Sequence, residues 1–243
     1  MGKLTIVTSG KGGSGKSTVP VGLASAYHKK GNNILLIDCD EGLRCLDLML
    51  GVSDKLVFDL SDIINHGKTL DEVVLKVDKN ISLIAAPANV NSYDRRAFGK
   101  FLSEITDLYD NIIVDCPAGI DREFYSHLPD YSEVLVVETL DAIGCRSAST
   151  IENLLYEAGI SKKYLIINKF DFFMLKSNCL ISLDDIIDKT GLMIKGIIPN
   201  DPELTHLSAE GKLFTKSIAF DAFTRISDRL DGKFVKLPKL NNL

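Results

Sequence analysis

The segment Leu4–Ser17 reads L-T-I-V-T-S-G-K-G-G-S-G-K-S, and it decides the fold. Its first residues form a short β-branched run that is typical of a buried strand. Gly10 to Ser17 follow the pattern G-x-x-x-x-G-K-[ST] of a phosphate-binding loop. Thr18–Lys30 then reads as a helix that Gly31 ends. A glycine loop between a strand and a helix predicts a site for a nucleoside triphosphate.

The residue types of this loop are those that phosphate binding requires. Glycines let backbone N–H groups converge on phosphate oxygens at the positive end of the helix. We expect Lys16 to reach the β- and γ-phosphates of ATP and the Ser17 hydroxyl to ligate Mg²⁺. The predicted cofactor-binding residues of the loop are Gly10, Lys11, Gly12, Gly13, Ser14, Gly15, Lys16, Ser17 and Thr18.

Lys11 is an extra lysine that the general pattern does not require. Because Lys16 already serves the phosphates, Lys11 needs another destination. One interpretation is a solvated side chain. The interpretation that we favour is a lysine that crosses a dimer interface and neutralises charge on the partner's nucleotide, as an arginine finger does. The loop therefore also predicts a homodimer in the ATP state.

Length and composition limit the remaining possibilities. The 243 residues, 45% of them apolar, fit one large α/β domain over residues 1–231 and a short basic tail over 232–243. The net charge of −5 argues against a general nucleic-acid-binding surface. No apolar run approaches the roughly 18 residues of a membrane span. The first strand leaves no room for a signal peptide, and five cysteines without a C-x-x-C pair fit reduced thiols, so we expect a cytoplasmic protein.

Short apolar runs recur along the chain, with helix-like stretches between most of them. This alternation predicts a single-domain α/β fold with a mostly parallel twisted sheet and helices on both faces. The predicted strands are Leu4–Val7, Ile34–Ile37, Ile81–Ala85, Asn111–Val114, Glu133–Val137, Tyr164–Ile167 and Ile194–Ile198. The predicted later helices are Lys55–His66, Tyr93–Leu108, Ser147–Glu157 and Leu183–Lys189.

Two of these strands end in acidic residues that we expect beside the phosphate loop, because active sites form at the carboxyl ends of such strands. Asp115 is the predicted Mg²⁺-organising carboxylate, and Gly119 is placed to bring its N–H to the γ-phosphate. Asp40 is the best candidate for orienting the attacking water. Asp38 either positions Mg²⁺ or holds the loop that follows it, and the sequence leaves both roles open.

The sixth and seventh predicted strands end in Asn168 and in the turn Pro199–Asp201. Both ends are expected at the same sheet edge, further from the phosphates, where a purine base would fit. The alternative is that asparagine and proline here only mark turns.

Several segments together resemble the MinD/ParA family of deviant P-loop ATPases. Thr8–Thr18 carries the loop that the family shares. Leu36–Gly51 (L-I-D-C-D-E-G-L-R-C-L-D-L-M-L-G) resembles its cell-division members more specifically through the G-L-R-x-L-D core. Ile112–Ile120, Ser182–Ile186 and Gly196–Asp201 add further matches, so that the resemblance runs over most of the chain.

The resemblance implies an ATPase that dimerises on ATP and positions the cell-division site. It also implies a division inhibitor that is recruited to the membrane and a partner that stimulates hydrolysis. Lys11 would contact the partner's ATP, Asp40 would organise the hydrolytic water, and Asp115 and Gly119 would form the second switch. Asn168 and Pro199–Asp201 would flank adenine.

Three segments depart from the family pattern. The tail is short and interrupted by Pro238, so its lysines permit peripheral membrane contact, at about 1 kcal/mol per basic residue, but not stable insertion. Residues 145–149 (C-R-S-A-S) replace an acidic segment, with consequences for the dimer interface or a partner surface. Residues 170–175 (F-D-F-F-M-L) form either a partner patch or, as we favour, local packing.

Three other functions remain open at this stage. A relative that regulates flagellar number or places another polar assembly would share the loop and the dimer. A DNA-partitioning ATPase would bind DNA in a salt-sensitive way. An iron–sulfur carrier is disfavoured because the chain has no C-x-x-C pair.

Overall fold

The computed structural model describes residues 2–90, 92–117, 119–171 and 183–238. Their strands form one eight-stranded sheet with the order β3-β4-β2-β5-β1-β6-β7-β8. Neighbouring strands are parallel except for β3 and β4. The strands are β1 Lys3–Thr8, β2 Ile34–Asp38, β3 Leu75–Asp78, β4 Ile81–Ile84, β5 Asn111–Asp115, β6 Glu133–Thr139, β7 Lys162–Phe170 and β8 Met193–Pro199.

Helices cover both faces of this sheet, as the alternating pattern predicts, and the fold class is confirmed. One face packs under α5 and α7, and the other under α1 and α10. Central strands such as β2 and β5 are buried along their whole length, because a sheet covered on both sides needs apolar residues on both. The helices are α1 Thr18–Lys29, α2 Cys45–Met49, α3 Leu60–His66, α4 Leu70–Val73, α5 Arg95–Ile105, α6 Arg122–Ser126, α7 Ala142–Glu157, α8 Leu183–Thr190, α9 Pro202–Ala209 and α10 Ile218–Leu230.

Helix starts differ from the predicted ones because side-chain caps fix them. Helix α3 begins at Leu60 rather than Lys55, since Asp59 forms a capping box with Asp62. Helix α7 begins at Ala142, five residues before the predicted start, because Asp141 accepts a hydrogen bond from the Gly144 N–H. Sequence reasoning did not predict β3 or the short helices α2, α4, α6 and α9.

The last helix, α10, turns an apolar face into the core. Phe220, Phe223, Ile226 and Leu230 are all buried. Three of the cysteines are buried as well, in keeping with the role of small apolar side chains, and Cys45 is half-buried. None of the described helices combines the length and the apolar character that crossing a membrane requires.

The strand order reverses at β1, which lies between β5 and β6. Such a reversal opens a crevice at the carboxyl ends of the strands, where ligands bind. In the parallel register, Asp115 pairs with Val7 on one side and with Asp38 on the other. The two predicted acidic strand ends therefore lie beside the phosphate loop that follows β1.

Candidate functional site

The loop between β1 and α1 has the shape of a phosphate cradle. Gly13 and Gly15 have φ angles of +79° and +82°, in the region that favours glycine. A methyl group on Gly12 or Gly13 would meet no other atom within 4 Å, so the loop is open at these two exposed positions. The Ser14 hydroxyl is buried and has no hydrogen-bond partner among the described residues. An open cradle with a buried, unsatisfied hydroxyl at a helix N-terminus fits a bound phosphate.

Lys16 lies at the centre of the site, as predicted, and contacts both candidate carboxylates. Its ammonium donates to Asp115 Oδ1 at 2.7 Å and lies 3.4 Å from Asp40 Oδ2. All three side chains are almost completely buried. Although burial opposes the charged form, the Asp115 and Asp40 carboxylates raise the pKa of Lys16. Burial raises the pKa of Asp115, and the Lys16 ammonium opposes that shift.

Asp38 holds the loop that follows β2. Its Oδ1 accepts the Asp40 N–H at 2.9 Å, and its Oδ2 accepts the Leu46 N–H at 3.0 Å. Burial raises the pKa of this carboxyl. Because both oxygens are occupied by backbone donors, this geometry favours the loop-holding role among the two that the sequence left open.

The oxygen donors fit Mg²⁺ only in combination with a nucleotide. The Ser17 hydroxyl lies 3.4 Å from the Lys16 ammonium, at the mouth of the cradle. Among the described residues, no group of three or more histidine, cysteine or acidic side chains is arranged to hold a metal by itself. Mg²⁺ characteristically completes its shell with waters and substrate phosphates, so Ser17, with Asp115 nearby, is a donor set that suits it.

Lys11 folds back onto its own chain. Its ammonium donates to the Thr139 hydroxyl and lies 2.9 Å from Asp141 Oδ2, at the start of α7. The Lys11 side chain keeps 21% of its surface exposed. In a single chain Lys11 is therefore an ion-paired residue at the rim of the loop, and its contact across a dimer stays a prediction.

Glu138 is a site residue that sequence reasoning missed. It is the last residue but one of β6, next to the loop, and its Oε1 accepts hydrogen bonds from the Gly10 N–H at 3.1 Å and from the Ser9 and Ser147 hydroxyls. Burial raises its pKa, although these donors oppose the shift. The same rule of acidic strand ends that selected Asp115 would have selected Glu138, because β6 is the other neighbour of β1.

The segment 145–149 belongs to this inner network as well as to the surface. Ser147 turns inward to Glu138, and Cys145 and Ala148 are buried, while Arg146 faces solvent. Three of the five residues of this segment are therefore part of the protein interior. Of the apolar segment 170–175, Phe170 is buried in β7, and residues 172–175 lie outside the described residues.

Gly119 lies next to the loop with a φ angle of +105°. Its N–H donates to the Ser9 carbonyl at 3.0 Å, which ties the loop after β5 to the end of β1. In the helix that follows this loop, α6, the Tyr125 hydroxyl is 2.7 Å from the Thr8 hydroxyl. The predicted contact of the Gly119 N–H with a γ-phosphate thus requires the hydrogen bond between Gly119 and Ser9 to open.

The residues predicted to flank adenine lie at the same sheet edge, with differing surroundings. The Asn168 amide donates to the Ser14 carbonyl at 2.8 Å, and the neighbouring Lys169 donates to the Gly13 carbonyl at 2.8 Å. Pro199 ends β8 beside Phe170. Both oxygens of Asp201 accept backbone N–H groups, from Glu203 and Ala219. Asn168 and Lys169 therefore brace the phosphate loop, while Asp201 organises the turn; their adenine contacts stay predictions.

The fold and this loop together define a P-loop nucleotide-binding protein of the α/β class. A family model described as the CobQ/CobB/MinD/ParA nucleotide binding domain matches residues 5–214. The chain therefore belongs to this family, as its resemblance to the MinD/ParA class implies.

Full-length relatives agree with this assignment. The chain is 33% identical to the septum site-determining protein MinD of Thermotoga maritima, over 98% of this chain and 91% of the relative. It is 32% identical to MinD of Synechocystis, over 96% and 91% of the two chains. Among solved structures, a chain of the MinC:MinD cell division complex of Aquifex aeolicus superimposes with a TM-score of 0.87, 29% identity and coverage of 98% and 99%. The similarity to MinD thus spans nearly the whole chain.

Proposed function

We propose that this protein is an Mg²⁺-dependent ATPase that dimerises when it binds ATP. We further propose that it positions the cell-division site, because its MinD relatives are named septum site-determining proteins. The observation that carries the proposal is the placement of Lys16 between Asp115 and Asp40 at the head of α1. This arrangement joins a phosphate-binding cation to a carboxylate that can orient water, which is what ATP hydrolysis needs.

Each residue of the site has a separate task in this mechanism. Lys16 binds the β- and γ-phosphates, and the loop N–H groups hold the remaining phosphate oxygens. Asp40 orients the attacking water and accepts its proton. Ser17 would ligate Mg²⁺, and Asp115 would help to hold it through water; when bound, Mg²⁺ would neutralise charge on the phosphates. Asp38 fixes Asp40 by holding its backbone N–H.

The surface around the site supports a dimer. The loops that follow β2, β4 and β5 expose Leu43, Val90 and Ile120, and the first turn of α7, which follows β6, exposes Ile143; each is more than half accessible. These apolar side chains surround the same edge of the sheet that carries the phosphate loop. A ring of exposed apolar residues around a site is typical of a protein interface. We propose that a second copy covers this edge and that Lys11 then reaches its nucleotide.

The partners that we propose follow from the relatives. The Aquifex neighbour is described as a MinC:MinD complex, and we propose a division inhibitor of this type for the present chain. We further propose a partner that stimulates hydrolysis. The whole of residues 1–231 would act as one ATPase domain, with 232–243 as a basic tail.

The tail supports a proposal of peripheral membrane contact. Arg229 donates to the backbone carbonyls of Val235 and Lys236 at 2.8 Å each, which holds the tail against α10. Phe234 is 89% exposed on this segment. An exposed aromatic side chain among lysines suits the interface of an anionic membrane. Co-sedimentation with phosphatidylglycerol vesicles should exceed that with phosphatidylcholine vesicles, should be stronger in ATP than in ADP, and should fall in Phe234→Ser.

The ATPase proposal is tested by two substitutions. Lys11→Ala should lose ATP-dependent dimerisation and hydrolysis, while Lys100→Ala, which removes an exposed helix lysine remote from the site, should retain both. Asp40→Ala should remain dimeric in ATP, as seen by light scattering, because the water is no longer oriented. A Lys11→Ala protein with an unchanged hydrolysis rate would remove the intermolecular role of Lys11, and an Asp40→Ala protein that is monomeric in ATP would contradict the dimer.

A further inference from the structure

Arg95 links the loop after β2, which carries Asp40, to the loop after β5, which carries Gly119. It is the first residue of α5, and its side chain is only 10% exposed. Its Nη2 lies 2.9 Å from Glu41 Oε2, and its Nε lies 3.4 Å from Asp121 Oδ2. The guanidinium also stacks over the Tyr93 ring, 4.4 Å from its centre. A planar, multidentate cation thus binds two carboxylates from two different loops.

The positions of these two carboxylates give the contact its meaning. Glu41 directly follows Asp40, the proposed water-orienting residue. Asp121 lies two residues after Gly119, and its carboxylate caps α6 by accepting the Phe124 N–H at 2.9 Å. A displacement of either loop would therefore act directly on one of the two Arg95 ion pairs.

Glu41 is held firmly enough to transmit such a movement. Its Oε1 accepts the N–H of Ser92 at 2.9 Å and the hydroxyl of Ser92 at 2.7 Å. Although burial opposes the charged form, the donors of Ser92 and Arg95 lower the pKa of Glu41. On the other side of Asp40, Asp38 accepts its backbone N–H. The backbone that carries Asp40 is thus fixed on one side by Asp38 and on the other by the Glu41–Arg95 pair.

We propose that Arg95 is a positioning residue that couples the Asp40 loop to the Gly119 loop, so that both reach their hydrolytic positions together. This inference rests on the proposed ATPase function and adds a residue that touches neither phosphates nor Mg²⁺. Positioning errors of about 1 Å cost on the order of 100-fold in rate, so a coupling residue of this kind affects turnover rather than nucleotide binding.

Kinetics separates a positioning role from a merely structural one. Arg95→Met should lower kcat for MgATP about 10- to 100-fold, with KM and the Kd for ADP changed about twofold or less, because the phosphate loop is untouched. Arg95→Lys should fold normally and remain slow, since an ammonium cannot span both carboxylates in the same way. The matched control is Arg122→Met, which removes an exposed arginine, paired only with Glu157 in the described residues, from the neighbouring helix.

Hydrogen exchange tests the coupling without relying on activity. Glu41 and Asp121 both bind the Arg95 guanidinium, so Glu41→Gln should accelerate amide exchange at residues 119–124. The double variant Glu41→Gln/Arg95→Met should exchange no faster than Arg95→Met alone.

The outcomes distinguish the coupling through Arg95 from the proposed ATPase function. Unchanged exchange at 119–124 in Glu41→Gln, or a kcat of Arg95→Met within twofold of wild type, overturns the coupling. Full activity in Arg95→Lys overturns the need for a bidentate cation. A wild-type protein that hydrolyses no MgATP contradicts the proposed function instead, even where the exchange data reveal coupled loops.

Discussion

The Lys16 ammonium is the cation that the buried carboxylates Asp115 and Asp40 contact. Breaking a buried ion pair by removing one partner is strongly destabilising, because the remaining charge is buried without compensation. We predict that Lys16→Met lowers the free energy of unfolding in the absence of nucleotide by about 3 kcal/mol, measured by urea denaturation at pH 7.

The double variant Lys16→Met/Asp115→Asn serves as the control for this prediction. Asparagine keeps the volume of Asp115 and removes the charge that Lys16 compensates, so it should restore part of the lost stability. Additive losses in the double variant would show that packing of the lysine stem, not charge, is what Lys16 contributes.

The Lys11–Asp141 ion pair should give a measurable dependence on acidity. Although burial opposes the charged form, the Thr139 hydroxyl, Lys11 and the Gly144 N–H lower the pKa of Asp141 to about 2. A lowered pKa stabilises the folded state above the unfolded-state pKa, and this contribution is lost as the pH falls through the folded-state value. The pair is partly exposed, so the contribution is about 1 kcal/mol or less.

Asp141→Asn isolates this contribution because asparagine still caps α7. Its deficit in unfolding free energy relative to wild type should be constant between pH 5 and 7 and should shrink as the pH falls from about 4 towards 2. Unfolding by urea at several pH values measures it, and a deficit that grows in acid would contradict the assignment to Asp141.

Residue patterns predict the site well where chemistry and strand position coincide. Gly10 to Ser17 follow a strict spacing, and Asp40 and Asp115 lie at strand ends beside the loop, so simple rules predict that these residues lie together, as they do in the structure. Glu138 obeys the same rule but was missed, because the sequence does not say which strand is the second neighbour of β1. The pairing of Lys11 with Asp141 depends on that same neighbour and was equally hidden.

At the scale of elements, apolar runs predict buried strands more surely than short amphipathic pieces. All seven predicted strands are present, because continuous burial leaves a continuous apolar signal. Strand β3 alternates between half-buried and exposed residues at the sheet edge, which gives a weaker pattern. Helices α2 and α6 have only five residues each, too few for helical periodicity to appear.

Close packing between α1 and α10 gives a prediction about Gly22. Alanine in a helix is normally about 1 kcal/mol more favourable than glycine. Here a methyl group on Gly22 would overlap the Phe223 ring, which is fully buried. We therefore predict that Gly22→Ala destabilises the protein by about 1–3 kcal/mol in urea unfolding, opposite in sign to its helix propensity.

Relief of the overlap provides the control. Phe223→Leu shortens the side chain that Gly22 faces, so Gly22→Ala should be less harmful in the Phe223→Leu background than in wild type, a coupling that a double-mutant cycle detects. Equal costs in both backgrounds would mean that the clash is absorbed elsewhere in the interface.

At the scale of the whole molecule, the nucleotide site and the proposed dimer surface occupy one sheet edge. The phosphate loop contributes the nucleotide-binding groups, and the segments after β2, β4, β5 and β6 contribute the exposed apolar side chains. A ligand that binds the folded state raises its stability by mass action, and association makes the apparent stability depend on protein concentration. Because this edge both binds the nucleotide and forms the proposed dimer, ATP and ADP should change the stability of the protein in different ways.

Thermal unfolding measures this difference directly. At 100 times its Kd, a nucleotide adds about 2.7 kcal/mol, which corresponds to a rise in Tm of about 5–10 °C for a chain of this size. With Mg²⁺ and ADP the rise should not depend on protein concentration. The Asp40→Ala variant should not hydrolyse ATP, so its dimer should persist. With Mg²⁺ and ATP, its Tm should therefore rise further as the protein concentration is increased. Neither nucleotide should raise the Tm of Lys16→Met. A Tm that depends on protein concentration in ADP would show that dimerisation does not require the γ-phosphate.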